Sequence, residues 1–505
     1  MGEPHVIIIG GGLAGLSAGC YARGNGLRTT IIEHNLALGG VCTAWQRGPY
    51  TIDGCIHWLT GGAFSHIYDE LGITAAVPLR TLEQFATYRD LSDGFEVTIG
   101  RDLGELVTTL AASAPEDRDE LLRIMEGALD IAELDPGVDT PSELSSLRAR
   151  LASIWNMRHE AGTLIHFRKP LAAWSEQHIK NPRLRRLLCR LAPPDAPAFL
   201  LLMILGYLSR GFLSRPRGGT AAFRDALVAS YMRLGGDARV HATVDEILVQ
   251  HDRATGVRLD DGSILPADLV ISTASTAETV LRLLGGRYGA PEARHRLEHW
   301  KTIEPIVLAS FGVATPLASA PQMLLVDGVQ PFEVGGHRND QLYVRVYNDD
   351  PCFAPPGHTV VQALLPTDYD FWATRGTRYE AEKDAVAELA LERIEACLPG
   401  VKQAMRVSDV ATPLTYWNAV RSWRGAYEGF MPTPDAFFGH IDKRLPGLSG
   451  FYMAGQWVEP GGGVPPALMS GRQVVQLALA EQGREFAPLS AAGAGSASPH
   501  TGSPP

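Results

Sequence analysis

The feature that most constrains the fold is a glycine-rich turn near the N-terminus. His5–Ile9 is a short β-branched run, Gly10-Gly11-Gly12-Leu13-Ala14-Gly15 follows it, and residues 16–25 are helix-like. A second β-branched run, residues 29–32, ends in Glu33. The order strand, glycine turn, helix, strand and acid predicts a dinucleotide-binding βαβ unit.

Each glycine has an expected role in this unit. Gly10 allows the tight turn, Gly12 lets a pyrophosphate approach the backbone, and Gly15 lets the helix pack closely on the strand. The helix N-terminus, at Leu13 and Ala14, offers free N–H groups and a partial positive charge. Glu33 is placed to accept hydrogen bonds from ribose hydroxyls. A second GxGxxG is absent from the sequence, so one dinucleotide is expected.

A second glycine-rich motif lies near the other end of the chain. It runs from Gly450 through Gly455-Gln456 to Gly461-Gly462-Gly463, and Val464-Pro465-Pro466 follows. Three consecutive glycines leave room for a planar ring against the backbone. Proline suits the first turn of a helix, and residues 467–480 continue with an apolar helical pattern.

Together with three internal stretches, these motifs resemble one enzyme family. The stretches are residues 171–185, Arg215–Thr220, and Thr412–Thr415 followed by Arg424–Gly429. The chain is similar, over nearly its whole length, to the phytoene desaturase, carotenoid isomerase and retinol saturase family. These are FAD enzymes of the amine-oxidase-like superfamily. The resemblance implies FAD as cofactor and hydride transfer to flavin N5.

The resemblance also implies which residues contact FAD. Val244, in a strand over residues 238–247, is expected to pair its backbone with the adenine. The diphosphate, ribityl chain and isoalloxazine are expected to contact Gly39, Gly40, His57, Trp58, Leu59, Gly455, Gln456, Gly463 and Val464. Two positions depart from the family: Val41 replaces a frequent arginine, and Gln456 replaces a usual aspartate.

The fold class expected is α/β. A discontinuous Rossmann-type FAD-binding domain is predicted over residues 1–80, 215–295 and 440–489, with strands over 237–248, 254–259 and 268–272. Two insertions, residues 81–214 and 296–439, are predicted to form an α+β substrate domain. In them, helices are expected over 121–132 and 380–397, and strands over 306–313, 341–347 and 358–365. The Ser-, Ala-, Gly- and Pro-rich tail, 490–505, is predicted to be disordered.

Charge and cysteine content exclude other classes. Lysine plus arginine is 45 and aspartate plus glutamate is 56, for a net charge of −11. Nucleic-acid binding needs a basic excess, so it is not expected. The sequence has no CxxC and no Cys/His cluster with zinc-ligand spacing, so no metal site is predicted. The start has no basic region typical of a signal peptide, which favours a cytoplasmic protein. The oligomeric state stays open.

The apolar segment APAFLLLMILGYL, residues 196–208, has two interpretations. Its 13 residues are too few to cross a bilayer. It is either a core helix lining the substrate cavity or a peripheral patch through which an apolar substrate enters from a membrane, with flanking arginines near anionic lipid. Both interpretations suit an apolar ligand.

The predicted reaction is desaturation or cis–trans isomerisation of a long carotenoid-like polyene. His57 is a candidate for proton transfer or for orienting the flavin, and Glu428 and Glu459 are further acid candidates that could equally form structural contacts. The substrate-lining candidates, which could equally be core, are Tyr416, Trp417, Trp423 and Tyr427. The alternatives are an FAD-dependent amine or small-molecule oxidase using O2 and a binding protein on the same fold.

Overall fold

The computed structural model describes residues 3–134, 137, 139–146 and 160–490. The predicted disordered tail, apart from Ser490, lies outside these residues. The strands, in chain order, are β1 (His5–Ile9), β2 (Arg28–Ile32), β3 (Ala44–Arg47), β4 (Tyr50–Asp53), β5 (Leu59–Thr60), β6 (Leu79–Thr81), β7 (Gln84–Asp90), β8 (Phe95–Gly100), β9 (Leu213–Pro216), β10 (Asp237–Arg239), β11 (Val244–Gln250), β12 (Arg253–Leu259), β13 (Ile264–Pro266), β14 (Leu269–Ser272), β15 (Ile306–Val313), β16 (Met323–Asp327), β17 (Phe332–Val334), β18 (His337–Asn339), β19 (Leu342–Tyr347), β20 (Thr359–Pro366), β21 (Met405–Ala411) and β22 (Phe451–Met453).

The α-helices of the described residues lie between these strands and at the C-terminal end. They are α1 (Leu13–Gly24), α2 (Ser65–Glu70), α3 (Ile73–Ala76), α4 (Leu103–Ser113), α5 (Arg118–Ala132), α6 (Ala161–His166), α7 (Leu171–His178), α8 (Pro182–Leu191), α9 (Phe199–Ser209), α10 (Gly219–Arg233), α11 (Ala290–His299), α12 (Tyr369–Ala373), α13 (Tyr379–Cys397), α14 (Val401–Ala404), α15 (Pro413–Val420), α16 (Pro434–Phe437) and α17 (Val464–Glu481).

The first layer is a five-stranded parallel sheet in the order β10-β2-β1-β14-β22. Both of its faces are buried. Val6 and Ile8 of β1 pack in the core that contains α1 and α17, whereas Ile7 and Ile9 pack with the core of β11 and β12. Continuous apolar runs are typical of such strands. The five strands come from all three segments predicted for the FAD-binding domain, although its exact boundaries stay a prediction.

The second layer is a seven-stranded mixed sheet in the order β21-β15-β20-β19-β16-β7-β8. Its strand β15, second from the β21 edge, is buried along all eight residues. Strands β7 and β8 come from the first predicted insertion, and the other five come from the second. The two insertions therefore share one sheet, and the predicted α/β fold class with an α+β second part is confirmed.

One predicted strand is wrong. The sequence predicts a single strand over residues 237–248, but the chain forms β10 and β11 with a break between them. His241 lies in the break with a left-handed φ of 53°. The break is required because β10 pairs with β2 in the parallel sheet, whereas β11 pairs with β12 in an antiparallel one. The predicted strands and helices of the insertions agree with the structure to within a few residues at each end.

The apolar segment 196–208 forms most of α9. Leu201, Leu202 and Leu205 are buried, and a Cβ at Gly206 would lie only 2.0 Å from the Ala128 carbonyl oxygen of α5. The backbones of α5 and α9 are therefore in close contact, as in a core helix. Among the described helices, not one combines the length and the apolarity that crossing a bilayer would require.

Candidate active site

A cavity of about 740 Å³ lies where the parallel sheet meets the mixed sheet. Most of the residues singled out from the sequence share its wall, although they are spread over the whole chain. They are Gly10, Gly12, Leu13, Ala14, Glu33, Gly39, Gly40, His57, Trp58, Val244, Tyr416, Tyr427, Glu428, Gly455, Gln456, Gly463 and Val464. The fold therefore brings the N-terminal and C-terminal glycine motifs to one site.

The β1–α1 turn forms the first wall of this cavity. Gly10 has a φ of 96°, which favours glycine. A Cβ at Gly15 would lie 2.0 Å from the Gly10 carbonyl oxygen, so Gly15 is outside the cavity wall but permits close contact between helix and strand. Gly12 begins α1 without a side-chain cap, and it forms a parallel bridge with Gly39. The free N–H groups of α1 therefore face the cavity.

Glu33, at the end of β2, is buried and oriented by two backbone donors. The Gly11 amide donates to its Oε2 at 2.7 Å, and the Asn35 amide donates to its Oε1 at 2.8 Å. Beside it, His34 Nδ1 lies 2.8 Å from Thr243 Oγ1, next to Val244 at the start of β11. These contacts hold the carboxylate and the β11 backbone at the same end of the cavity.

The C-terminal glycine motif forms a neighbouring part of the wall, because a Cβ on Gly455 would lie 3.5 Å from the Ala14 side chain of α1. Gly461, Gly462 and Gly463 have φ values of 98°, 52° and 85°, all in the region that favours glycine. Gly463 precedes α17 without a side-chain cap, so a second helix N-terminus faces the cavity. Gly455 donates to the Ser470 hydroxyl at 2.8 Å, which fixes the motif on α17.

This donor set fits FAD. Two uncapped helix N-termini line one cavity, and each provides N–H groups and a positive dipole end for anionic groups. Val41 lines the cavity without a charge, and Gln456 lines it with an uncharged amide. Diphosphate binding therefore relies on backbone donors at this wall rather than on an arginine at position 41.

His57 is held in place through its backbone. Its carbonyl oxygen accepts hydrogen bonds from Arg215 Nε at 3.1 Å and Arg345 Nη1 at 2.8 Å. Its ring stacks on Tyr343 with centroids 6.0 Å apart. Desolvation, and then the charges of Arg345 and Arg215, hold the His57 pKa well below its usual value. The imidazole is therefore neutral at pH 7 and a weak base, with one ring nitrogen that can donate a hydrogen bond and one that can accept.

Glu428 is the predicted catalytic acid that faces the cavity, which Glu33, Glu278 and Glu304 also line. Its Oε1 lies 4.0 Å from the position of a Cβ on Gly463, beside the start of α17. No hydrogen bond from any described residue reaches its carboxyl group, and desolvation raises its pKa to about 7. Tyr427 and Tyr416, with ring centroids 6.2 Å apart, line the same part of the cavity. Glu428 can therefore hold or release a proton near neutral pH.

Four other candidates do not line the cavity. The Leu59 side chain is fully buried in the core, and Trp417 and Trp423 lie outside the cavity wall. Glu459 is 2.7 Å from the buried Lys443 Nζ, an ion pair that gives its carboxylate a structural role. Glu459 is therefore removed as a catalytic candidate, because its charge is neutralised away from the cavity.

An apolar part of the cavity extends beyond the glycine motifs. The mixed sheet supplies Leu308, Leu325, Leu342 and Leu364, and α9 supplies Leu200, Met203 and Ile204. The sequence does not distinguish these sheet residues from core residues, because strand positions facing a cavity and positions facing a core have the same apolar alternation. Arg345 was also missed, since it lies 288 residues from His57 along the chain.

Comparisons with known proteins identify the family of this chain. Residues 13–479 match the family described as flavin-containing amine oxidoreductase. The chain is 25% identical to a phytoene desaturase (neurosporene-forming) of Rhodobacter capsulatus, over 94% of each chain. It is 24% identical to the chloroplastic prolycopene isomerase of Arabidopsis thaliana, over 95% of this chain and 83% of that protein. The predicted resemblance is thus confirmed.

Solved structures show the same fold. An oxidoreductase from Methanosarcina mazei has a TM-score of 0.62 at 18% identity, with 94% of this chain and all of that chain covered. Putrescine oxidase bound to putrescine has a TM-score of 0.60 at 14% identity, with 95% and 99% covered. The chain belongs to the flavin-containing amine oxidoreductase family, and it is an FAD-dependent oxidoreductase.

Proposed function

We propose that this enzyme desaturates or isomerises carbon–carbon bonds of a long apolar polyene of the carotenoid type. The observation that carries the proposal is the apolar extension of the cavity, which runs from the glycine motifs along α9. A polyene has no polar group to bind, and aliphatic walls contribute about 25 cal/mol per Å² of apolar surface buried. The names of the desaturase and isomerase relatives support the same substrate class.

The residues of the chain bind and orient the substrate and handle protons. FAD, when bound, supplies hydride transfer at its N5 atom. The glycine motifs would hold its diphosphate and ring, and the aliphatic wall would hold the polyene and exclude water. Glu428 would give or take a proton at its carboxyl group. Neutral His57, fixed by Arg215 and Arg345, would orient the flavin ring by a hydrogen bond, because its lowered pKa makes it a weak base.

An amine oxidase is the second candidate, because Glu428 gives the cavity an acidic group. Ionised Glu428 would pair with a substrate ammonium, flanked by Tyr416 and Tyr427. Its pKa of about 7 leaves about half of the carboxyl groups protonated at neutral pH, which weakens that pairing. The long apolar extension also exceeds what a small amine needs. Both points favour the polyene.

The experiment compares the two substrate classes on the same holoenzyme. Anaerobic bleaching of the flavin band is followed with polyenes in lipid vesicles and with a panel of amines, and polyene products are separated by chromatography. A polyene that is isomerised or that bleaches the flavin, with amines inactive, supports the proposal. Fast bleaching by an amine, with every polyene recovered unchanged, would contradict it.

A matched pair of variants locates the substrate in the apolar extension. Met203→Trp fills the α9 wall of the cavity, and Met232→Trp adds the same side chain on α10, where Met232 is 51% exposed. We expect Met203→Trp to lower polyene turnover at least tenfold, and we expect Met232→Trp to retain it. Equal turnover in both variants would mean that the polyene does not occupy the extension.

We also propose that the enzyme works in the cytoplasm, at a membrane surface. Phe437 lines the cavity and is 38% exposed, and its neighbour Phe438 is 60% exposed. Both rings pack on Phe199 at the start of α9, with centroids 4.8 Å and 5.9 Å away. Exposed aromatic rings at a cavity mouth suit the boundary of a bilayer, where an apolar substrate is dissolved. The free cysteines suit a reducing compartment.

A further inference from the structure

A cluster of two histidines and a glutamate lies outside the cavity. Glu120, His166 and His178 each offer one ligand atom, and these atoms all lie within 4.8 Å of one another. His166 Nε2 lies 2.7 Å from Glu120 Oε1. The rings of His166 and His178 are 4.6 Å apart. Imidazole nitrogen and carboxylate oxygen are common protein ligands of zinc and related ions.

Three different helices bring these side chains together. Glu120 is in the first turn of α5, His166 is the last residue of α6, and His178 is the last residue of α7. Glu120 and His166 are 46 residues apart in the chain. No short motif connects such ligands, so the sequence contained no signal for them and predicted no metal.

Aromatic packing fixes the two imidazoles before any ligand binds. His178 stacks on Trp174 at an interplanar angle of 21°, and His166 packs edge-on against Phe167 with centroids 4.7 Å apart. Trp174 and Phe167 are themselves buried. Histidines held in this way lose little rotamer freedom when they coordinate an ion.

The geometry requires only a small contraction. Two ligands at zinc–nitrogen distances of about 2.0–2.1 Å in a tetrahedral site are about 3.3 Å apart. The largest separation in the cluster therefore has to close by roughly 1.5 Å, which side-chain rotation supplies. Glu120 Oε2 also pairs with Arg123 Nη1 at 3.0 Å, and this exposed arginine can swing away. His166 and His178 are half-buried, so an ion can enter, and water can complete its coordination.

We propose that Glu120, His166 and His178 bind a divalent transition-metal ion, of which Zn²⁺ is the probe. The ion would act as a structural clamp one layer behind the cavity. Helices α5, α6 and α9 meet at Gly127, whose Cβ position is 3.0 Å from both Leu202 and Thr163. The Phe199 amide at the start of α9 donates to the Phe167 carbonyl at 3.0 Å. Binding would therefore stiffen the α9 wall of the cavity.

The first test uses the unchanged, tag-free holoenzyme after treatment with a chelator. Isothermal titration with Zn²⁺ should show one site per chain, and the same titration with Mg²⁺ should show none, because Mg²⁺ prefers oxygen ligands. X-ray absorption at the zinc edge should report two imidazole ligands. A titration without saturable Zn²⁺ binding, or a spectrum without two imidazoles, would overturn the proposal.

Variants then distinguish this cluster from a second histidine pair. His295 and His299 lie one turn apart on α11, exposed, with ring centroids 4.5 Å apart. We expect His178→Gln and Glu120→Gln each to weaken Zn²⁺ binding more than about tenfold, a loss typical of damaged metal sites. The double variant His295→Gln/His299→Gln should bind as the wild type does. The opposite pattern would assign the ion to α11 and refute the proposal.

Folding of each variant is checked by its flavin absorbance and its melting temperature without Zn²⁺. The wild-type melting temperature should rise with Zn²⁺ concentration, because an ion that binds the folded state stabilises it by mass action. This rise should be absent in His178→Gln and present in His295→Gln/His299→Gln. A rise that persists in His178→Gln would contradict the clamp even if the variant folds poorly.

Discussion

Replacing Glu428 by glutamine tests whether a carboxyl group in the cavity carries the proton chemistry. Desolvation raises its pKa from 4.5 to about 7, so the folded protein binds this proton more tightly than the unfolded chain does. Each pKa unit corresponds to about 1.4 kcal/mol, so ionising Glu428 destabilises the folded state by about 3 kcal/mol. Glutamine has nearly the same shape and no charge to desolvate.

The sign of the pH dependence follows from linkage. Between pH 4.5 and about 7 the folded state holds more protons than the unfolded state, so stability falls as pH rises through this window. We expect Glu428→Gln to match the wild type at pH 4 and to be more stable by about 3 kcal/mol at pH 8 and above.

The assay is urea denaturation of the FAD-saturated protein from pH 4 to 9, followed by tryptophan fluorescence, with both proteins measured in the same buffers. Substrate turnover gives a second readout, because a wild-type profile with an apparent pKa near 7 should lose that inflection in Glu428→Gln. A stability difference that does not change with pH would refute the assigned pKa. An unchanged inflection would show that another group supplies the proton.

Three further substitutions test the FAD-binding residues and the mouth of the cavity. Gly15→Ala places a Cβ 2.0 Å from the Gly10 carbonyl oxygen. We therefore expect the free energy of unfolding to fall by about 1–3 kcal/mol and the flavin content to fall as well. The control is Gly162→Ala, whose Cβ would have no atom within 4 Å and which should leave the melting temperature unchanged. Glu33→Gln should weaken FAD binding about tenfold, as judged by flavin retained after dialysis, because hydrogen bonds to a charged acceptor are worth about 1.5–3 kcal/mol. Full retention would contradict a role for Glu33 at the ribose. Phe438→Ser should lower co-sedimentation with lipid vesicles about tenfold, since burying a phenylalanine contributes about 1.5–3 kcal/mol, and unchanged co-sedimentation would move the membrane contact elsewhere.

The glycine motifs were predictable because their demands on the backbone are local. Gly10 needs a positive φ, Gly15 needs contact with the preceding strand, and Gly463 needs both freedom and a following helix. Each demand leaves a trace within a few residues of sequence. The parallel sheet and the FAD-binding residues could be predicted from these local patterns, and most of the predicted FAD-binding residues do line one cavity.

The features that were missed depend on contacts between distant segments. The break between β10 and β11 arises because the two halves of this segment pair with different sheets. The strand propensity of the residues contains no information about which sheet each half joins. Glu459 and Glu428 looked equivalent, and the difference between them is the buried Lys443 beside one and desolvation without a described hydrogen bond at the other. An acidic side chain is structural or reactive according to its burial and its ion-pair or hydrogen-bond partners. Both are determined by the packing of distant segments.

The same packing shifts the pKa values of two groups in the cavity in opposite directions. Desolvation raises the pKa of Glu428 and lowers that of His57, because in each case it disfavours the charged form. A substrate that has no polar groups can be positioned only by the shape of the cavity, and it can react only with the flavin and with groups that exchange protons. Glu428, which can exchange a proton near neutral pH, and the apolar wall along α9 therefore suit the movement of hydrogen to and from a polyene. A charged amine would pair with Glu428 only in its ionised form, and Glu428 receives no hydrogen bond from the described residues that would stabilise that form.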